Sequence, residues 1–205
     1  DANLAALGEW SCGAGKGHHD LIYLTISTGI GGGVINADKL LLGHRGLAAE
    51  LGHVTILPGG PVCSCGQRGH LEAIASGPGI AHFVNEKLAE GRTSVLQANP
   101  ALSSREIAEA AQAGDELARD AFAYAGEYLG LALANYLHIF NPSIVIFGGG
   151  VSQSVALILD PLQESLKRHV MDPSYLEGLE LALAKLGDDA GLLGAFTYAK
   201  IKLAE

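Results

Sequence analysis

Cysteine, methionine, tryptophan and positive charge are all scarce in this chain. Three cysteines, two of them one residue apart at Cys63 and Cys65, cannot make a disulfide framework, so a reducing cytoplasm is the expected setting. A chain of 205 residues does not need one. At that length roughly 70% of the unfolded surface can be buried, enough for one domain or one large lobe. Basic residues number 13 against 22 acidic ones, and the resulting charge of -9 argues against nonspecific binding to nucleic acid or anionic membrane. No apolar run reaches the ~20 residues of a membrane span. A hydrophobic fraction of 48% argues against disorder. No internal repeat or low-complexity tract is visible.

Glycine, by contrast, is plentiful, and one run of it stands out. Thr25-Ile26-Ser27-Thr28-Gly29-Ile30-Gly31-Gly32-Gly33-Val34-Ile35 follows the strand-like Leu21-Ile22-Tyr23-Leu24. Four glycines in five positions read as a tight, side-chain-free turn between two strands. Such a turn suits either a plain β-hairpin or a backbone cradle for a phosphate, with Thr25, Ser27 and Thr28 adding hydroxyl donors.

Around this run the pattern is α/β. Residues 1–11 read as a helix with Asp1 at its N-cap and Leu4, Leu7 and Trp10 along it. Gly13-Ala14-Gly15-Lys16-Gly17 is no phosphate loop, because Trp10 and Gly17 stand where that motif needs glycine and a hydroxyl residue. Strands are expected at 20–27 and 33–42, and helices at 71–75, 79–90, 105–112 and 115–139. The last of these should bury Leu117, Ala121, Tyr124, Tyr128, Ala132, Asn135 and Ile139. Ser143–Phe147 is a short continuous apolar run, the mark of a strand covered on both faces, and it ends in Gly148-Gly149-Gly150. A helix over 154–170, a strand over 179–186, a turn at Asp188-Asp189 and a final helix from Gly191 complete the expectation. Cys12 is expected to be a buried small residue, and His18 and His19 surface loop residues.

Four soft ligands crowd one glycine-punctuated stretch. His53, Cys63, Cys65 and His70 lie within eighteen residues and suit a closed, tetrahedral and therefore structural zinc site. Glu50 and Glu72 bracket the cluster. Two carboxylates held by a metal-tied loop could present acceptors to a hydroxyl-rich ligand, or both could be solvated helix-end charges.

These segments together resemble the ROK family of sugar kinases and sugar-responsive repressors, and among its members the bacterial glucokinases. The resemblance rests on Asp1-Ala2-Asn3, Ser27–Gly33, Ala49-Glu50-Leu51-Gly52-His53, Cys63-Ser64-Cys65-Gly66-Gln67-Arg68-Gly69-His70-Leu71-Glu72, Ile144–Gly150 and Gly187–Ala195. It implies an actin/hexokinase-like (ribonuclease H-like) ATPase lobe with a zinc-binding loop at about 53–70. It implies that Asp1 is the general base toward a sugar hydroxyl, that Glu50, His53 and Glu72 bind the hexose, and that His53 is also a zinc ligand. Thr28, Gly29, Gly31, Gly32 and Gly33 match the family's second phosphate motif, and Gly148, Gly149 and Gly150 its adenosine turn. ATP, Mg²⁺ and structural Zn²⁺ are the implied cofactors, and a homodimer the implied assembly. Where the family usually has a third cysteine this chain has His70, so the site should survive as two histidines and two cysteines.

The family's first phosphate motif, D-x-G-x-T of a small N-terminal lobe, occurs nowhere here. The expectation is that residues 1–205 are the large C-terminal lobe alone, without useful kinase activity of its own. The leading reading is phosphorylation of glucose. A kinase for fructose, allose, N-acetylglucosamine or N-acetylmannosamine, and the sugar-sensing lobe of a repressor, stand beside it.

Overall fold

The computed structural model describes residues 1–204, side chains at 152 and 153 excepted. A five-stranded sheet in the order β3-β2-β1-β4-β5 forms its middle layer. Strand β1 (Leu21–Ile26) and strand β2 (Ile30–Asn36) form an antiparallel hairpin, with Leu21 opposite Ile35 and Ile26 opposite Ile30. The short β3 (Lys39–Leu40) extends it. Strand β4 (Ile144–Gly148) runs parallel to β1, Leu21 opposite Ile144, and β5 (Glu180–Leu183) runs parallel to β4. All five residues of β4 are buried, as its unbroken apolar sequence requires of a strand covered on both faces.

Helices cover both faces. On one side lie α2 (Leu71–Ala75), α3 (Gly77–Ala89), α4 (Ser104–Gln112), α5 (Glu116–Phe140) and α6 (Val155–His169), burying Ile22, Leu24, Phe122, Leu133 and Val145 in one cluster. On the other side α1 (Ala2–Cys12) and α7 (Ala190–Ala204) close over Leu21, Tyr23, Ile35, Ile144 and Ile146. The caps explain the helix limits. Ser103 and Glu106 form a reciprocal capping box at α4, and the Asp115 carboxylate accepts the Ala118 N–H at the start of α5. Asn141, in the left-handed region at φ 44°, and then Pro142 end α5.

Several expectations are corrected. The strand expected over 33–42 is two strands, because residues 37 and 38 reverse the chain with φ of 48° and 63°. Alanine and aspartate tolerate that turn because Asp20 accepts bonds from the Ala37 N–H and the Asn36 amide, and His19 bonds Asp38. The strand expected over 179–186 is confined to 180–183. The buried face of α5 turns away from Asn135 and Ile139, which are exposed, toward Leu133, Tyr136 and Leu137. Cys12 is exposed. His18 is a structural loop residue, its Nδ1 2.8 Å from Ser143 Oγ.

Glu9 is the larger surprise. It is fully buried, and its carboxylate accepts the N–H groups of Ala14, Lys185 and Leu186 at 2.7–2.9 Å. Three donors compensate the loss of water and pin the end of α1 to the segment between β5 and α7.

Candidate functional site

The glycine run is not a turn in itself. Gly31, Gly32 and Gly33 lie inside β2, and only Ser27, Thr28 and Gly29 make the bend. None of the four glycines has a positive φ. Their lack of a side chain serves close approach instead. A Cβ on Gly31 would stand 3.1 Å from Ala2 Cβ, one on Gly32 2.8 Å from the Ala49 carbonyl oxygen, and one on Gly33 2.9 Å from the Ala2 carbonyl oxygen. One on Gly29 would stand 2.6 Å from Glu72 Oε2. The glycines thus draw the start of α1, the segment carrying Glu50 and the Glu72 carboxylate onto one hairpin.

That placement brings Glu72 and the neighbours of Asp1 and Glu50 to one hairpin. Asp1 is exposed at the N-cap of α1, and its side chain makes no capping bond. Glu50 is exposed at the N-cap position of the short 3-10 turn Leu51–His53, and its side chain makes no capping bond. The turn is held from beneath by Tyr136, whose hydroxyl donates to the Leu51 carbonyl oxygen at 2.5 Å. Burial pushes the Tyr136 phenol well above its ordinary value, so it remains a donor. Tyr136 was missed because nothing in a helix sequence announces an 85-residue reach.

Glu72 joins two parts of the site. Its Oε2 accepts the Ile30 N–H at 3.1 Å, and its Oε1 accepts the Ser64 hydroxyl at 2.5 Å and the Cys63 thiol at 3.4 Å. Burial pushes this carboxyl upward, but the donors of Ser64, Ile30 and Cys63 together with His53 outweigh it, and the pKa lies below its ordinary value.

Beside Glu72 the four soft ligands converge. One ligand atom from each of His53, Cys63, Cys65 and His70 lies within 4.8 Å of the others. Cys63 Sγ is 3.5 Å from His53 Nδ1, and Cys65 Sγ is 3.3 Å from His70 Nδ1. Ligands of a tetrahedral zinc ion lie about 3.3–3.8 Å apart, so the Cys63–His53 and Cys65–His70 separations match that ion and the cluster is compatible with it. The loop owes its path to left-handed glycines. Gly66 (φ 88°) returns its N–H to the Cys63 carbonyl at 2.9 Å, and Gly69 (φ 75°) passes so near the Leu57 carbonyl that any Cβ would collide.

Two cavities flank the hairpin tip. One, of about 730 Å³, lies between the ligand loop and α3, with Glu72, Arg68, Phe83 and Tyr124 among its lining residues. The other, of about 510 Å³, lies between the first two turns of α3, the segment 100–104 and Gly150-Val151. Thr28, Pro78 and His82 belong to both. The N-termini of α3 and α4 meet here, Ser104 Oγ standing 3.1 Å from where a Gly77 Cβ would be. The Gly77 N–H is spent on the Ser27 carbonyl at 2.8 Å and the Gly79 N–H on Ser76 Oγ at 3.2 Å. What α3 offers an anion is therefore the field of its dipole rather than those two donors.

Gly148 ends β4, and Gly149, with φ 85°, packs over the end of β1, where a Cβ would stand 2.4 Å from the Ile26 carbonyl oxygen. Gly150 reaches the second cavity; Gly148 and Gly149 do not line it. Asp1, Glu50 and His53 line neither cavity.

The ROK family pattern matches residues 1–202. This chain belongs to the ROK family. It is 41% identical over 207 residues to a glucokinase of Thermotoga maritima, covering 99% of this chain and 65% of that one. A crystal structure of a ROK family glucokinase from Streptomyces griseus, in complex with glucose and AMPPNP, is similar with a TM-score of 0.79 at 38% identity, over 95% of this chain and 64% of that one. A ROK family transcriptional regulator, homolog of the E. coli MLC protein, is similar with a TM-score of 0.86 at 30% identity, over 98% and 50%. The mixed α/β layers and five-stranded sheet are thus those of the ROK sugar kinase fold, consistent with the actin/hexokinase-like class. The chain spans under two thirds of the length of these relatives.

Proposed function

We propose that this chain is the large lobe of an ATP-dependent hexose kinase whose acceptor is glucose. The observation that carries the reading is the hairpin tip. Thr28 stands between two cavities, beside two helix N-termini, while Glu72 and the immediate neighbours of Asp1 and Glu50, Ala2 and Ala49, are drawn onto the same hairpin. Phosphoryl transfer asks for little covalent chemistry from a protein. It asks for a held hydroxyl, a base and a preorganised field.

In this reading the Asp1 carboxylate, free of any capping duty, accepts the proton of the attacking sugar hydroxyl. Glu50 and Glu72 accept bonds from the other hydroxyls, and His53, ligating through one ring nitrogen, donates the N–H of the other to a sugar oxygen, so that the ring is fixed. Thr28 donates its hydroxyl to the phosphate chain, and the dipoles of α3 and α4 favour negative charge there. The second cavity, with Gly150 on its wall, receives the nucleoside. Mg²⁺, when bound with ATP, neutralises charge on the phosphates. His53, Cys63, Cys65 and His70 would hold a zinc ion, which with four protein ligands would be structural and would fix the loop from which Glu72 takes the Ser64 bond. Residues 1–205 are read as one lobe of a two-lobed enzyme, so closure that excludes water requires the other.

Asp1→Asn in the full-length protein tests the base. A coupled ATPase assay should show kcat falling by about 10² or more with sugar affinity kept. Equal loss of turnover and sugar binding removes Asp1 from that role. A second reading, the sugar-sensing lobe of a repressor, is favoured by the similarity to the MLC homolog. It needs the acceptor site but not the nucleotide cavity, so glucose binding without any binding of AMPPNP would favour it.

A further inference from the structure

The 510 Å³ cavity has one wall made of irregular chain, the segment from Pro100 to Ser103 that leads into Ser104 of α4. Pro100 brings no N–H to fix it. The path of this wall is set by one side chain on the opposite wall. Asn85 accepts the Asn99 N–H on Oδ1 at 2.9 Å and donates its Nδ2–H to the Asn99 carbonyl at 3.1 Å. The amide thus pairs with both backbone groups of Asn99, as a neighbouring strand would. From Asn99 the turn propagates. Its Oδ1 accepts the Ala101 N–H at 2.9 Å, and its carbonyl accepts the Leu102 N–H at 3.0 Å. Two residues after Ala101, Ser103 begins the capping box of α4.

Asn85 lies on the face of α3 that also brings Gly77, Pro78, Ala81 and His82 to this cavity, at successive turns of the helix. One wall therefore holds the other at a fixed spacing, and that spacing is the width of the cavity.

We propose that Asn85 is a positioning residue for the nucleoside, acting through Asn99 to hold the 100–104 wall. The inference rests on reading this cavity as the nucleotide site. Only a side-chain amide can do the work. Aspartate keeps the acceptor for the Asn99 N–H but sets a second oxygen against the Asn99 carbonyl, and alanine leaves both groups to water.

The test uses the full-length protein, titrated calorimetrically with AMPPNP and Mg²⁺, with adenosine, with inorganic triphosphate and with glucose. Asn85→Asp should weaken AMPPNP and adenosine about tenfold, the loss of one to two hydrogen bonds, and leave triphosphate and glucose unchanged. Pro100→Gly, which loosens the wall without touching Asn85, should weaken adenosine in the same direction. Unchanged adenosine binding in Asn85→Asp overturns the proposal, and so does a parallel loss of glucose binding, which would mark general destabilisation. Weakening by Asn85→Asp but none by Pro100→Gly would make Asn85 a direct contact and overturn the positioning role. If the unsubstituted chain binds neither AMPPNP nor adenosine, the nucleotide reading falls and takes this role with it.

Discussion

The α5–α6 pair and the loop from Gly43 to His70 are held in opposite ways. Two glycines of α5 let the helices touch along their backbones. A Cβ on Gly126 would stand 2.7 Å from the Ile158 carbonyl oxygen, and one on Gly130 2.3 Å from that of Leu162. Dispersion and apolar burial then do the rest, with Phe122, Leu129, Leu133, Ile158, Leu162 and Leu166 all within 3% of complete burial. The loop has almost no regular structure and little core of its own, Leu51 and Cys63 being its buried apolar residues. Its order comes from a few directional contacts: the four converging ligands, the Glu72 carboxylate and left-handed glycines. A helix pair locked by apolar contact and a loop locked by a few polar contacts are thus ordered by different means.

The largest effect should come from forcing the packed seam apart. Gly130→Val drives a branched side chain into the backbone of α6 and should cost about 3 kcal/mol or more, read as a lower urea midpoint. A small cost would mean that the helices separate easily and that the contrast is overstated. Next comes the ligated loop. The chain should hold one zinc per molecule, and Cys65→Ser or removal of the metal by a chelator should open residues 57–69 to protease while helical circular dichroism stays unchanged. A loop equally resistant with and without metal would make it another packed element.

The smallest effect belongs where the two kinds of order meet. Asp115 caps α5 and also accepts the Ser94 hydroxyl and the Val95 N–H, so it fastens an irregular segment to a packed helix. Burial pushes its carboxyl up, and the donors of Val95, Ala118 and Ser94 pull it further down, leaving the pKa below its ordinary 3.8. A depressed folded-state value means that this stabilisation is complete well above 3.8 and is lost as pH falls through the lower folded value. Asp115→Ala should therefore cost about 1 kcal/mol near neutral pH, and progressively less only once pH falls below the ordinary 3.8. An equal cost at neutral pH and well below 3.8 would remove the charge from the account.

Much of the packed part was legible in sequence. Ser143–Phe147 announces a buried strand, and Ser103 with Glu106 announces a helix start, because burial and capping depend on neighbours in the chain. The ligand cluster was legible for a similar reason, its four members falling within one short stretch. The glycine run misled, since Gly31 to Gly33 serve contacts with Ala2, Ala6 and Leu51, and only the folded chain shows these partners. The turn at Ala37-Asp38 was hidden because its support comes from Asp20 and His19 on the neighbouring chain segment. Glu9 was invisible as a buried group because two of its three donors lie 176 and 177 residues away.

Those distant donors also set an order of events during synthesis. Within residues 1–205 helix α1 is made before every other element, yet the helix it packs against and the donors to Glu9 come after nearly all of them. Until Lys185 and Leu186 have left the ribosome, the Glu9 carboxylate must remain hydrated and α1 cannot seat. One face of the sheet therefore waits, with Leu21, Tyr23, Ile144 and Ile146 uncovered, while the α5–α6 face can already close. While residues 37–189 emerge this fold is a half-sandwich, and α7 is the slice that covers its open face.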